Sequence, residues 1–292
     1  MGDIQFGVLG PLTVWRDGEV VTPRSFTARA ALGVLLLAEN RPLAAGRVQA
    51  LVRPEQPKSR EWVQVLMCRL RTWLASTFGD SVSLNHRPDG YVLNVSPRRV
   101  DLGRFRSLSS TAAGIKPEQR LEHWEQAVRL WRGHTLADLD GVVGAGILEE
   151  FAELRRSAVL TLADEALQAG EPERALPHLL PLAREYPLDE RVHAVWATLL
   201  AGAGRQGEAL AVIQQIRRRL SDELGVDIGR HLHEAQRVVL RGLPHTLIGT
   251  ARMSSGEETI TALTTLLNAD HAVASRLAHT LNGKRIALVV ID

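Results

Sequence analysis

A single cysteine, Cys68, stands among 292 residues, so no intrachain disulfide and no cysteine-rich zinc site can form. A reducing, cytoplasmic setting is the expectation. Aromatic residues are only 4% of the chain, while Leu, Ala and Arg dominate, which favours helices packed through Leu and Ala over an all-β sandwich. Long apolar runs are missing too. The longest, Ala30 to Ala38, is interrupted by Gly33 and falls well short of the roughly 20 residues a spanning helix needs. The opening MGDIQFGVLG has neither a basic n-region nor an apolar h-region, and Phe6 stands where an N-myristoylation signal needs Ser or Thr. No membrane partner is expected.

Catalytic and cofactor signatures are equally scarce. No G-x-x-x-x-G-K-[ST] phosphate loop occurs, so there is no backbone cradle and lysine for a nucleotide. Gly141, Gly144 and Gly146 are spaced like part of a dinucleotide loop, but Glu149 holds the third glycine's place, and a loop before a helix accounts for them. His231 and His233 would point to different faces of a helix rather than chelate one metal. The expectation is a protein with no catalytic residues, no cofactor and no metal.

What is present is unevenly distributed. Residues 1–100 carry 13 Lys and Arg against 8 Asp and Glu, and residues 101–292 carry 22 against 25. The first part can meet a polyanion while the second is free to meet something else. Within it, Lys58 to Leu74 reads as a helix whose apolar arc comprises Trp62, Val63, Leu66, Met67, Leu70, Trp73 and Leu74. The opposite arc carries Arg60, Gln64, Cys68 and Arg71, with Glu61, Arg69 and Thr72 beside them. Arg and Gln suit guanine and adenine edges, because each can make two hydrogen bonds to one base. Ser81 to Val95 then reads as a hairpin turning at Arg87, Pro88, Asp89 and Gly90, with Arg87 at its tip. A basic helix followed by a basic hairpin tip permits one groove contact and one adjacent backbone contact.

The rest of the organisation follows the same logic. Residues 4–22 read as two or three small antiparallel strands, Ala28 to Ala38 as a helix capped by Ser25, and Ala44 to Val52 as a second short helix. Further on, AGEPERAL from Ala169 and AGRQGEAL from Ala203 superimpose at a shift of 34 residues, the tetratricopeptide (TPR) period. WEQAVRLWRGHTLADL from Trp124 places two tryptophans two helical turns apart. Residues 243–256 read as a linker, 257–281 as one or two helices, and RIALVVID at 285–292 as a buried strand. The last is similar to a Walker B strand ending in a carboxylate, although a strand docked elsewhere explains it as well.

FGVLGPLTV from Phe6, RAALGVLLLAENRPL from Arg29, VQVLMCRLRTWL from Val63 and PDGYVLNV from Pro88 together resemble the OmpR-type winged-helix domain of the Streptomyces antibiotic regulatory protein (SARP) family. The helical segment that follows resembles that family's bacterial transcriptional activation domain. The resemblance implies a mainly α fold with small β elements, in which an N-terminal winged helix-turn-helix precedes a TPR-like all-α domain. The expected domains are 1–98, 99–242 and a tail of uncertain role at 243–292. It also implies that Arg60, Gln64, Arg69, Arg71 and Arg87 sit where the family meets DNA, with Cys68 a small residue on the same face. By the same resemblance the chain is an activator of a secondary-metabolite gene cluster. It would bind direct repeats of double-stranded DNA as a homodimer and recruit RNA polymerase holoenzyme. Two other readings stay open. Trp62, Leu66 and Cys68 would suit a helical-repeat scaffold with weakened DNA reading, and Asp292 a truncated nucleotide-regulated switch.

Overall fold

A computed structural model describes residues 3–53, 59–112 and 115–241. These lie within one compact unit, Met1–His245. The expected linker, helices and final strand of the tail lie outside the described residues.

The chain opens with three short antiparallel strands, β1 (Ile4–Gly7), β2 (Thr13–Arg16) and β3 (Glu19–Val20), in sheet order β1-β2-β3. Helix α1 (Phe26–Leu37) starts at Ser25, whose hydroxyl accepts the Ala28 N–H, satisfying one orphan donor of the first turn. It ends where Glu39 and Asn40 turn to positive φ. There the Asn40 amide exchanges hydrogen bonds with both backbone groups of Val95. Helix α2 (Ala45–Leu51) and helix α3 (Arg60–Phe78) complete the three-helix core, and β4 (Ser83–Arg87) with β5 (Gly90–Asn94) forms the wing. Helix α3 runs one turn past the expected end at Leu74, because Phe78 is buried edge-on against Phe6 and Trp73.

The helical part comprises α4 (Asp101–Ala112), α5 (Pro117–Arg129), α6 (Ala145–Gln168), α7 (Leu176–Glu185), α8 (Glu190–Gly202), α9 (Gln206–Leu224) and α10 (Arg230–Arg241). The two copies of the repeat fall on equivalent turns. Gly170 ends α6 at φ 72° and Gly204 ends α8 at φ 74°. Each turn is closed by the same long-reach bond, Glu171 N–H to Ala166 O and Arg205 N–H to Leu200 O, as in a Schellman cap. Ala175 and Ala209, which follow, are fully buried, so the small side chains let paired helices approach. The tryptophan pair behaves differently from the expected single helix. Helix α5 stops at Arg129, and Trp131 lies beyond it, edge-on to Phe105 of α4 at 5.5 Å.

One hydrophobic core runs without a break from Ile4 in the first strand to Leu199 in α8, and a second gathers α8, α9 and α10. The winged helix therefore shares its interior with the first helices after it. Leu136, fully buried, presses against Gly33 in the middle of α1, where a Cβ would meet its Cδ1 at 2.9 Å. Backbone pairs stitch the same seam: Arg53 N–H to Val142 O, Gly144 N–H to Leu51 O, and Leu136 N–H to Val8 O.

Candidate nucleic-acid interface

Helix α3 begins at Ser59, whose hydroxyl accepts the Trp62 N–H, with Glu61 in the first turn, both favourable at the positive end of a helix. Its inner arc, Val63, Leu66, Met67, Leu70 and Leu74, is buried, and Trp62 and Trp73 pack partly against the same core. Its outer arc exposes Glu61, Gln64, Val65, Cys68, Arg69, Arg71 and Thr72. At 100° per residue Cys68 and Thr72 lie near the middle of that arc, Gln64 and Val65 flank them, and Arg71 and Arg69 stand at opposite borders.

Of the expected contact residues, Gln64, Cys68, Arg69 and Arg71 thus share one solvent face. Arg60 is the first residue of the helix, and its side chain lies outside the described residues. Arg71 has a second engagement: its Nε donates to the Leu84 carbonyl at 2.8 Å, tying the border of α3 to the first wing strand. Val65, 51% exposed, is an apolar member of this face that the sequence reading passed over. Its spacing of four from Glu61 and from Arg69 was the available signal. Leu66 is buried and Trp62 packs inward, so neither dilutes the polarity of the outer face.

The wing is held by backbone geometry. Arg87 pairs with Gly90 across a turn of Pro88 and Asp89, and Arg87, Pro88 and Asp89 are exposed. Gly90 has φ 139°, and a side chain there would overlap the Leu43 carbonyl. Only glycine admits the close approach. Leu43 and Tyr91 exchange two backbone bonds of 2.9 and 2.8 Å, so the segment after α1 acts as a third edge to the hairpin. Tyr91 is buried with its ring 4.7 Å from that of His86. Arg41, just ahead of Leu43, has a side chain 73% exposed and 3.8 Å from Glu39; it is a further basic group on the wing's edge that sequence reasoning missed.

Asp101, at the start of α4, is buried and accepts the N–H groups of Val8, Leu9 and Leu102 at 2.8 to 3.0 Å. Burial raises its carboxyl above the usual range, opposed by those amides and by the Arg132 guanidinium. Arg132 reaches Thr13 and Pro11 and lies over the Trp15 ring at 5.1 Å. Arg29 of α1 pairs with Asp138, which also accepts the Leu12 N–H at 2.6 Å. Farther along, Glu125 is shared by Arg129 and Arg174. Burial opposes its ionisation, but the hydrogen bond and charge of Arg174 hold its carboxyl below the usual range. Among the described residues no helix is long and apolar enough to cross a membrane, and no group of His, Cys, Asp and Glu is arranged to hold a metal ion.

A three-helix core with a two-stranded wing, joined to stacked helical pairs, defines a winged-helix regulator with a TPR-like module. Residues 100–240 match the family model described as the bacterial transcriptional activator domain. Regulatory protein AfsR of Streptomyces coelicolor is 35% identical over 250 residues, covering 83% of this chain and 25% of that protein. The transcriptional regulatory protein MoaR1 of Mycobacterium tuberculosis is 30% identical over 256 residues, covering 83% and 81%. Among solved structures, Mycobacterium tuberculosis EmbR in complex with a low affinity phosphopeptide superposes with a TM-score of 0.67 at 26% identity, covering 96% of this chain and 70% of that one. The chain belongs to the SARP family of transcriptional regulators. It spans about a quarter of the length of AfsR.

Proposed function

We propose that this protein is a sequence-specific activator of transcription that reads double-stranded DNA through the outer face of α3. In this reading Arg60, Gln64, Cys68, Arg69 and Arg71 face the major groove, Val65 offers an apolar contact for a thymine methyl, and Arg87 meets the adjacent backbone from the wing tip. The observation that carries it is the division of α3. Gln64, Val65, Cys68, Arg69 and Arg71 are solvent-exposed on the arc opposite a fully committed core, with exposed Arg87 on the hairpin bonded to that helix through Arg71. Residues 1–98 would supply the reading head and 99–242 the helical module. That module would support a homodimer on direct repeats and contact RNA polymerase holoenzyme at a promoter of a secondary-metabolite cluster. The reading includes no catalysis and no cofactor.

Fluorescence anisotropy at fixed salt, with duplexes drawn from the promoters beside the protein's own gene and scrambled controls, tests the proposal. Preference for a native promoter duplex is expected; equal affinity for native and scrambled duplexes would sink it. Of the three residues that suit a helical-repeat scaffold with weakened DNA reading, Leu66 is buried, Trp62 packs partly against the core, and Cys68 lies on the outer face.

A further inference from the structure

Between the N-terminal sheet and the helices α4 and α5 lies a cleft of about 330 Å³ whose walls include Trp15, Asp101, Arg104, Arg129 and Arg132. That volume is at the small end of the range typical for ligand sites. Arg132 is committed to the seam already described, and Arg129 to Glu125. Arg104 is not committed. Its Nε is buried, and among the described residues it has no hydrogen-bond partner.

An unmade hydrogen bond on a buried cationic donor is costly. Arg104 also lies in the first turn of α4, where the helix dipole disfavours a cation and favours an anion. Asp3 also borders the cleft, but it is exposed and accepts from Gln5, and Asp101 is saturated by three backbone amides. The cleft therefore brings together three guanidinium groups and two carboxylates, and of the three guanidinium groups only that of Arg104 has no partner among the described residues. Guanidinium groups match the oxygen spacing of phosphate, which a planar fork can grip with two parallel bonds.

We propose that this cleft is a binding site for a small phosphate-bearing ligand, held by Arg104 with help from Arg129 and Arg132, and separate from the DNA-reading face. An occupant would touch the residues that lock the N-terminal sheet to the helical module. It would stabilise the folded seam in proportion to its occupancy.

Isothermal titration of the whole chain without DNA, using pyrophosphate and then inorganic phosphate at constant ionic strength, tests this. Saturable binding of one pyrophosphate is expected, weakened about tenfold or more in Arg104→Gln, as loss of a charge-assisted bond implies. Arg87→Gln, which alters only the wing tip, is expected to leave it unchanged. Arg104→Lys keeps the charge without the fork and is expected to bind more weakly than the unaltered protein, so the test survives a failure of Arg104→Gln to fold. No saturable binding, an unaltered affinity in Arg104→Lys, or equal weakening in Arg104→Gln and Arg87→Gln would each overturn the proposal.

Discussion

Arg132 brings its Nη2 to 3.6 Å from Oδ2 of Asp101, inside the angle between the first strands and α4. Around this pair the backbone amides of Val8 and Leu9 donate to the carboxylate, and the Leu9 carbonyl accepts the Arg132 N–H at 2.6 Å. The N-terminal sheet is thus hydrogen-bonded to two parts of the helical module at once. A buried carboxylate with every lone pair facing a donor is stabilising only while all the donors remain.

Asp101→Asn puts an amide N–H against amide donors, because one of the two side-chain oxygens becomes an NH₂ group. Chemical denaturation is expected to show a loss of about 2–4 kcal/mol, from a broken buried bond and the unsatisfied donors left behind. An unchanged midpoint would refute the assignment of the seam to this carboxylate.

Leu136→Ala empties a fully buried site against Gly33. The expected cost is about 2–5 kcal/mol. Since one core runs from Ile4 to Leu199, the tryptophan fluorescence and the far-ultraviolet dichroism should move together to lower denaturant. Separate transitions for the two signals would argue against a shared interior.

Gln64→Ala and Arg69→Ala are each expected to weaken cognate DNA by about 1–3 kcal/mol and scrambled DNA much less, as base-reading groups do. Arg71→Ala is expected to behave differently, because Arg71 Nε holds the Leu84 carbonyl. It should weaken scrambled duplexes as well as cognate ones, because the variant loosens the wing in addition to losing its groove contact. A purely sequence-selective loss in Arg71→Ala would contradict this division of roles.

Gly90→Ala forces a side chain into the Leu43 carbonyl at φ 139°. Displacing either strand breaks the Leu43–Tyr91 pairing, so a destabilisation of about 1–3 kcal/mol is expected, together with weaker DNA binding in anisotropy. Full retention of both would show that the wing tolerates a shift the packing disfavours.

Burial lowers the pKa of His178 and of His193 from the model-peptide value of 6.5, in both cases against partly compensating neighbours. The unfolded chain then binds protons that the folded chain refuses. Their contribution is intact above about pH 6.5 and is lost as pH falls through the lowered folded values. The melting temperature should therefore drop between about pH 7 and pH 5, and His193→Gln should reduce the slope. A slope identical in the variant would exclude His193 as a source.

Much of the molecule was legible in residue order. The spacing of Val63, Leu66, Met67, Leu70 and Leu74 located α3 and its buried arc, and the Pro88-Asp89-Gly90 turn located the wing. The 34-residue offset placed Gly170 and Gly204 on matching turns. These features are local: side-chain periodicity and turn chemistry act over a few residues, so they survive reading one segment at a time.

Arg71 reads as a groove contact by its spacing, yet it also braces Leu84 of the wing. Trp131 reads as a helical partner of Trp124, yet it leaves the helix to meet Phe105. Nothing near Asp101 in sequence announces Val8, Leu9 or Arg132. Residue order alone was enough for the buried arc of α3, the wing turn, the 34-residue repeat and the family. Which polar groups are shared between the winged helix and the helical module was settled by packing, because hydrogen bonds and burial across a seam depend on residues far apart in the chain, and no local pattern encodes where such residues meet.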